Sequence, residues 1–222
     1  MKSAVEARLM FDAVIFDLDG VLTDTARYHF LAWRRLAAGE GIPFDEAFNE
    51  RLKGIDRMGS LELILGQSRR SYTPAEKLAL AEEKNRHYQE LIATMTSQDL
   101  LPGALNALDA TRAAGLKVGL ASVSKNAPLV LAKLGIADRF DDIVDARRIA
   151  KGKPDPEIFL TAADHLHVEP ARCIGVEDAV AGIQAIKGAG MYAVGVGDPA
   201  VLTEADCVIP GLEAFRLSDY VP

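Results

Sequence analysis

Apolar positions fall into two regimes along the chain. In the first regime they form short, nearly continuous runs: Ala13–Phe16, Lys117–Ala121, Asp142–Asp145, Cys173–Val176, Tyr192–Val196 and Asp206–Ile209. Runs this short, partly β-branched and ended by glycine or polar residues, read as buried strands. Between them lie helical stretches over Pro102–Ala114, Asn126–Leu134, Pro156–Leu166 and Ala179–Gly188. Strands alternating with helices mean parallel βαβ units, hence a Rossmann-like, doubly wound α/β sheet.

The second regime runs from Thr25 to Ser97 and is helical throughout. Thr25 stands where an N-cap belongs, ahead of an apolar stripe of Tyr28, Leu31, Ala32, Leu36 and Ala37. Gly39 and Gly41-Ile42-Pro43 stop that helix. Further helices are expected over 44–52, 60–66 and 73–96, the last opened by Thr73-Pro74. Within it, Glu82–His87 reads as a solvated face. The first strand belongs with the α/β half. The expected division is therefore an α/β core domain, residues 1–24 and 98–222, with an inserted helical cap domain, 25–97. The connectors are Thr23–Thr25 and Ser97–Asp99, and two connectors let an inserted module hinge over the sheet's C-terminal edge.

Composition narrows the function classes. The 222 residues, 49% hydrophobic, suffice for one sizeable core and a small second module. A net charge of −7 with no basic stripe argues against a nucleic-acid surface. Cys173 and Cys207 sit in apolar contexts and read as buried thiols of a reducing compartment, with no disulfide. No apolar run reaches the ~18 residues of a membrane span. Met1–Leu9 carries Lys2, Glu6 and Arg8 and lacks the apolar segment of a signal peptide. The expectation is a cytoplasmic protein without nucleic-acid or membrane partners. It is expected to be a monomer, because no exposed apolar helix demands a dimer.

The chemistry concentrates at the expected strand ends. Asp17 and Asp19 follow the first strand two residues apart, at the sheet edge where α/β proteins bind ligands. Two carboxylates 4 Å apart repel by roughly 4 kcal/mol at an effective dielectric near 20, so the pair calls for a cation or a shared proton. Ser122 follows the second strand. Its hydroxyl and the Val123 N–H, with a helix start behind them, suit a phosphoryl oxygen. Lys153, before Pro154, offers positive charge. Glu177 and Asp178 follow another buried strand, and such oxygen donors suit Mg²⁺.

An Asp pair, a Ser, a Lys and an acidic pair, in this order and each at a strand end, resemble the haloacid dehalogenase superfamily of aspartate-nucleophile phosphotransferases. The helical insertion resembles that superfamily's small helical cap. Cap-side residues narrow the likeness to its sugar-phosphate mutases: Thr23-Asp24-Thr25-Ala26, Tyr28-His29-Phe30, Ala32-Trp33, Leu52-Lys53-Gly54, Arg57, Ser60-Leu61, Lys84-Asn85 and Ala121-Ser122-Val123-Ser124-Lys125-Asn126. The resemblance implies Asp17 as nucleophile and Asp19 as general acid and base. It implies one Mg²⁺ held by the Asp17 carboxylate, the Asp19 carbonyl and Asp178, with Glu177 direct or water-bridged. Ser122, Val123 and Lys153 would grip the transferring phosphoryl group. Arg57, Ser124, Lys125 and Asn126 would hold the substrate's other phosphate, and Lys84 and Asn85 the sugar or its phosphate. His29 would tie cap closure to Asp19, and Trp33, Gly54 and Ser60 complete the substrate-binding set. The implied reaction moves phosphate between the C1 and C6 oxygens of β-glucose, with β-glucose 1,6-bisphosphate as intermediate and activator. Val123 stands where a smaller residue is expected.

Three other readings compete. A sugar-phosphate phosphatase with the same nucleophile is the first. A non-catalytic binding protein is the second, and the intact strand-end motifs argue against it. A dinucleotide oxidoreductase is the weakest, because Gly195-Val-Gly197 is a lone glycine pair after a late strand.

Overall fold

A computed structural model describes residues 10–52 and 55–220. The expected N-terminal extension, Met1–Leu9, and the candidate substrate residue Gly54 lie outside the described residues. Six parallel strands form one sheet: β1 (Ala13–Phe16), β2 (Lys117–Leu120), β3 (Asp142–Ile143), β4 (Cys173–Glu177), β5 (Tyr192–Val196) and β6 (Cys207–Ile209), in the order β3-β2-β1-β4-β5-β6. Strand β1 is thus central, with Val14 opposite Val118 on one side and Ile174 on the other.

Period-2 alternation sorts β1 between two cores. Val14 and Phe16 pack with α5 (Ala104–Ala113) and α6 (Ala127–Leu134), while Ala13 and Ile15 pack with α7 (Glu157–Leu166) and α8 (Val180–Gly188). All four β1 residues are buried, as a strand covered on both faces requires. Burying Phe16 alone contributes about 1.5–3 kcal/mol. The sheet's edges are short, two residues in β3 and three in β6, which limits open-edge pairing. Cys207, on the β6 edge, is half-buried, whereas Cys173 is buried; both are free thiols. The expectation that both are buried therefore holds for Cys173 only, because an edge strand has a neighbour on one side alone.

Between β1 and α5 lie four further helices: α1 (Ala26–Gly39), α2 (Glu46–Glu50), α3 (Arg57–Leu65) and α4 (Pro74–Ile92). Asp45 and Asp56 cap α2 and α3 by accepting from Phe48 N and Gly59 N, so α3 begins before the expected Ser60. Thr73 and Glu76 close a capping box on α4. Trp33, Leu36, Leu61, Ile64 and Ala81 form a separate apolar cluster, while Tyr88 and Ile92 at the end of α4, and Met95 just past it, join the core on one face of the sheet. The run Glu82–His87 is not a uniformly solvated face. Lys84 and His87 are buried, because that side of α4 packs on α1, whereas Glu82 and Arg86 are exposed. The chain segments joining the helices to the sheet run side by side. Thr23 Oγ1 donates to Asp99 O (2.7 Å), and Leu101 N donates to Leu22 O (2.9 Å). No helix among the described residues is long and apolar enough to cross a membrane.

Candidate active site

Asp17 is the first residue past β1. Its N–H donates to Val176 O (2.9 Å), which extends the pairing with β4 and fixes the carboxylate at the sheet's C-terminal edge. Lys153 Nζ reaches Asp17 Oδ1 at 2.6 Å and Glu177 Oε2 at 2.8 Å. All three side chains are buried. Burial alone would lower the Lys153 pKa, but the two carboxylates outweigh it and hold the ammonium charged well above its ordinary range. Burial, then the Asp17 charge, pushes the Glu177 carboxyl up against the opposing pull of Lys153.

Asp17, Glu177 and Asp178 each offer a carboxylate oxygen, all within 4.8 Å of one another. A hard, oxygen-only donor set at this spacing fits Mg²⁺. Two glycines make the crowding possible. Gly20 has φ +80°, and a Cβ there would meet Asp178 Oδ2 at 2.0 Å. In α8, a Cβ at Gly182 would meet Glu177 Cδ at 2.1 Å. Both acids are therefore seated against bare backbone.

Asp19 lies in the tight loop after β1, half-buried, with Gly20 N donating to Thr23 O (2.8 Å). Burial first, then the Asp17 charge, raises its pKa to about 7 against the lowering effect of the Thr25 hydroxyl. Thr25 precedes α1 as expected, yet its side chain caps nothing. Its hydroxyl donates to Asp19 Oδ1 instead. The buried Tyr88 hydroxyl makes no good hydrogen bond, and its electrostatic neighbours are Asp19 and Thr25.

Two residues past the neighbouring strand β2, Ser122 is buried and its Oγ accepts from Ser124 N (3.2 Å). Neither Ser122 nor Ser124 caps α6, whose N-cap residue is Asn126. Val123 and Lys125 are exposed at this rim.

The helical layer closes over this edge. Arg57 Nη2 donates to Asn85 Oδ1 (2.8 Å), and Asn126 Nδ2 donates to the same oxygen (3.0 Å). Gln89 Nε2 donates to Asn126 Oδ1 (3.0 Å). Among the described residues no carboxylate is paired with Arg57, so its charge stands without an internal counter-ion. Lys84 Nζ lies 2.8 Å from His29 Nδ1 and over the rings of Trp33 (4.5 Å) and Tyr88 (4.9 Å). Ser60 is buried, with its Oγ donating to Ile55 O (3.4 Å). Sequence reasoning did not single out Thr25 as an Asp19 partner, nor Tyr88 and Gln89 at all. Their only signal is helical spacing: Lys84-Tyr88 and Asn85-Gln89 are i,i+4 pairs that share a face with the residues it did single out.

A parallel sheet with a buried carboxylate, a lysine and an acidic pair at its strand ends gathers the charged groups that phosphoryl transfer uses. The chain belongs to the haloacid dehalogenase-like hydrolase family, whose model matches residues 11–190. It is 57% identical over 199 residues to the β-phosphoglucomutase of Bacillus subtilis (strain 168), covering 89% of this chain and 88% of that one. The crystal structure of β-phosphoglucomutase from Clostridium difficile superposes with a TM-score of 0.90 at 49% identity, over 94% of this chain and 95% of that one. A phosphorylated carbohydrates phosphatase of Thermotoga maritima is 32% identical over 205 residues, covering 89% of this chain and 92% of that one.

Proposed function

We propose that this chain is a β-phosphoglucomutase, interconverting β-glucose 1-phosphate and β-glucose 6-phosphate through an aspartyl-phosphate enzyme and β-glucose 1,6-bisphosphate. The observation that carries this reading over a phosphatase is Arg57. It is a half-buried guanidinium held by the Asn85–Asn126 amides on the helical side of the cleft. A hydrolase needs one phosphate site, whereas a mutase acting on a bisphosphate needs two. The identity to the Bacillus subtilis enzyme points the same way.

Phosphoryl transfer is mostly positioning and charge neutralisation. In the forward half-reaction an Asp17 carboxylate oxygen forms the new O–P bond and the P–O bond to the sugar breaks. Asp19 delivers its proton to the departing sugar oxygen. With its pKa raised to about 7, it is protonated in part at neutral pH and suits both directions. Lys153 neutralises the nucleophile and the incoming phosphoryl oxygens, and the Ser122 hydroxyl with the Val123 N–H holds one of those oxygens. Asp17, the Asp19 carbonyl and Asp178 would hold Mg²⁺, with Glu177 beside it; the bound ion supplies further positive charge for the phosphoryl group. Arg57, Ser124, Lys125 and Asn126 bind the other phosphate, so the bisphosphate can be released, reversed and bound again. His29 and Lys84, packed on Trp33 and Tyr88, contact the sugar together with Asn85, and Ser60 supports the Arg57 end. Residues 25–97 act as the cap that excludes water while the aspartyl phosphate waits for sugar. The enzyme works as a cytoplasmic monomer.

The test is product identification. β-Glucose 1-phosphate with a trace of the bisphosphate and Mg²⁺ gives glucose 6-phosphate, and the α-anomer does not. Release of inorganic phosphate with no glucose 6-phosphate would assign the chain to the phosphatases.

A further inference from the structure

The second phosphate site depends on which way two side-chain amides face. An asparagine amide has an accepting and a donating end, and hydrogen bonds alone choose between them. Asn126 is the N-cap residue of α6, but its side chain makes no capping bond. It is turned toward α4. There its Oδ1 accepts from Gln89 Nε2 (3.0 Å) and its Nδ2 donates to Asn85 Oδ1 (3.0 Å), the oxygen that also accepts from Arg57 Nη2 (2.8 Å). Asn126 is buried.

We propose that Gln89 is a positioning residue for the substrate's non-transferring phosphate: its amide N–H locks the orientation of Asn126, and through Asn85 that of Arg57. The inference rests on the mutase reading above. Arg57 can only donate, so it fixes Asn85 Oδ1 as an acceptor. With Asn85 so held, reversing the Asn126 amide would set its oxygen against Asn85 Oδ1 and its NH₂ against the Gln89 NH₂, two repulsive contacts in place of two bonds. In the orientation observed, every carbonyl oxygen of the chain Gln89→Asn126→Asn85←Arg57 beyond Gln89 is an acceptor already in use. The remaining N–H groups of Asn126, Asn85 and Arg57 are then the ones left to donate, which is what an anion needs. Gln89 and Asn85 lie on the helical side and Asn126 on the sheet side. The same bonds therefore join the two across the cleft, and phosphate affinity and closure are set together.

The experiment compares two phosphodonors with wild type, Gln89→Leu, Asn126→Ala and the double variant. Acetyl phosphate carries one phosphoryl group and reports on the Asp17 end alone. β-Glucose 1-phosphate turnover reports on both ends. Gln89→Leu raises the KM for β-glucose 1-phosphate about fivefold, the equivalent of one hydrogen bond, with kcat and phosphorylation by acetyl phosphate changed less than twofold. In the Asn126→Ala background the Gln89 change adds nothing further. An unaltered KM in Gln89→Leu, an equal loss with both donors, or fully additive effects in the double variant would overturn the proposal. If wild type forms phosphoenzyme but no glucose 6-phosphate, the mutase reading fails, whatever Gln89 does.

Discussion

Lys84 Nζ sits 2.8 Å from His29 Nδ1, a hydrogen bond between two buried nitrogen bases. Both groups are shifted toward neutrality. Burial, then Arg57, lowers Lys84 to about 7, and burial, then Lys84 and Arg57, lowers His29 well below its ordinary value. Between about 7 and its ordinary value of 10.5, Lys84 is protonated in the unfolded chain and not in the fold. The unfolded state binds more protons in that window, so this group's contribution to stability rises with pH across it. Lys84→Met removes that slope. Denaturant midpoints of the two proteins across the window should converge at low pH and separate in favour of wild type toward its upper end, once a constant offset is removed. Parallel curves would contradict this.

Asp17→Asn removes the proposed nucleophile and one of the two carboxylates on Lys153. Mutase activity falls on the order of 10⁴-fold or more. Acid-quenched protein incubated with labelled bisphosphate retains no label. Retained label would place the phosphoryl group on another residue.

Lys153→Met leaves two buried carboxylates facing each other without their ammonium. The stability cost is about 3–5 kcal/mol in chelator. Because Asp17, Glu177 and Asp178 suit a cation, added Mg²⁺ raises the denaturation midpoint of this variant more than that of wild type. A midpoint indifferent to Mg²⁺ would count against the metal site itself.

Gly20→Ala places a methyl group at φ +80° and 2.0 Å from Asp178 Oδ2. The backbone alone costs roughly 1–2 kcal/mol, and Asp178 must move. The Mg²⁺ concentration for half-maximal activity rises about tenfold or more, as when a ligand's support is lost. A magnesium titration reads this directly. An unchanged curve would mean that Asp178 is not a ligand.

What was readable in the sequence follows from where burial is strongest. Strands covered on both faces leave continuous apolar runs, and the polar residues that end them, Asp17, Ser122 and Glu177, stand out against that background. Lys153 was visible through its proline neighbour and its place in the series. Residues on the helices were harder. Thr25 has the same local signature whether its hydroxyl caps α1 or, as here, serves Asp19. Lys84 lies inside a charged run, and only the packing of α4 on α1 buries it. Gln89 is a lone amide whose partner is 37 positions away, so no local pattern announces it. The helix starts shifted where Asp45 and Asp56 cap outside the apolar stripe. Cys207 looked like a core residue because composition does not reveal that its strand is an edge.

The central position of β1 has a consequence during synthesis. Its two hydrogen-bonding neighbours are the strands that hold Val118 and Ile174, so a nascent chain carries its first strand unpaired until the former has left the ribosome, and with one side open until the latter has. The helices between have their own apolar cluster and can settle earlier. An incomplete polypeptide would therefore display packed helices before its sheet edge was assembled, and the Asp17 carboxylate would meet the Lys153 ammonium only late in translation.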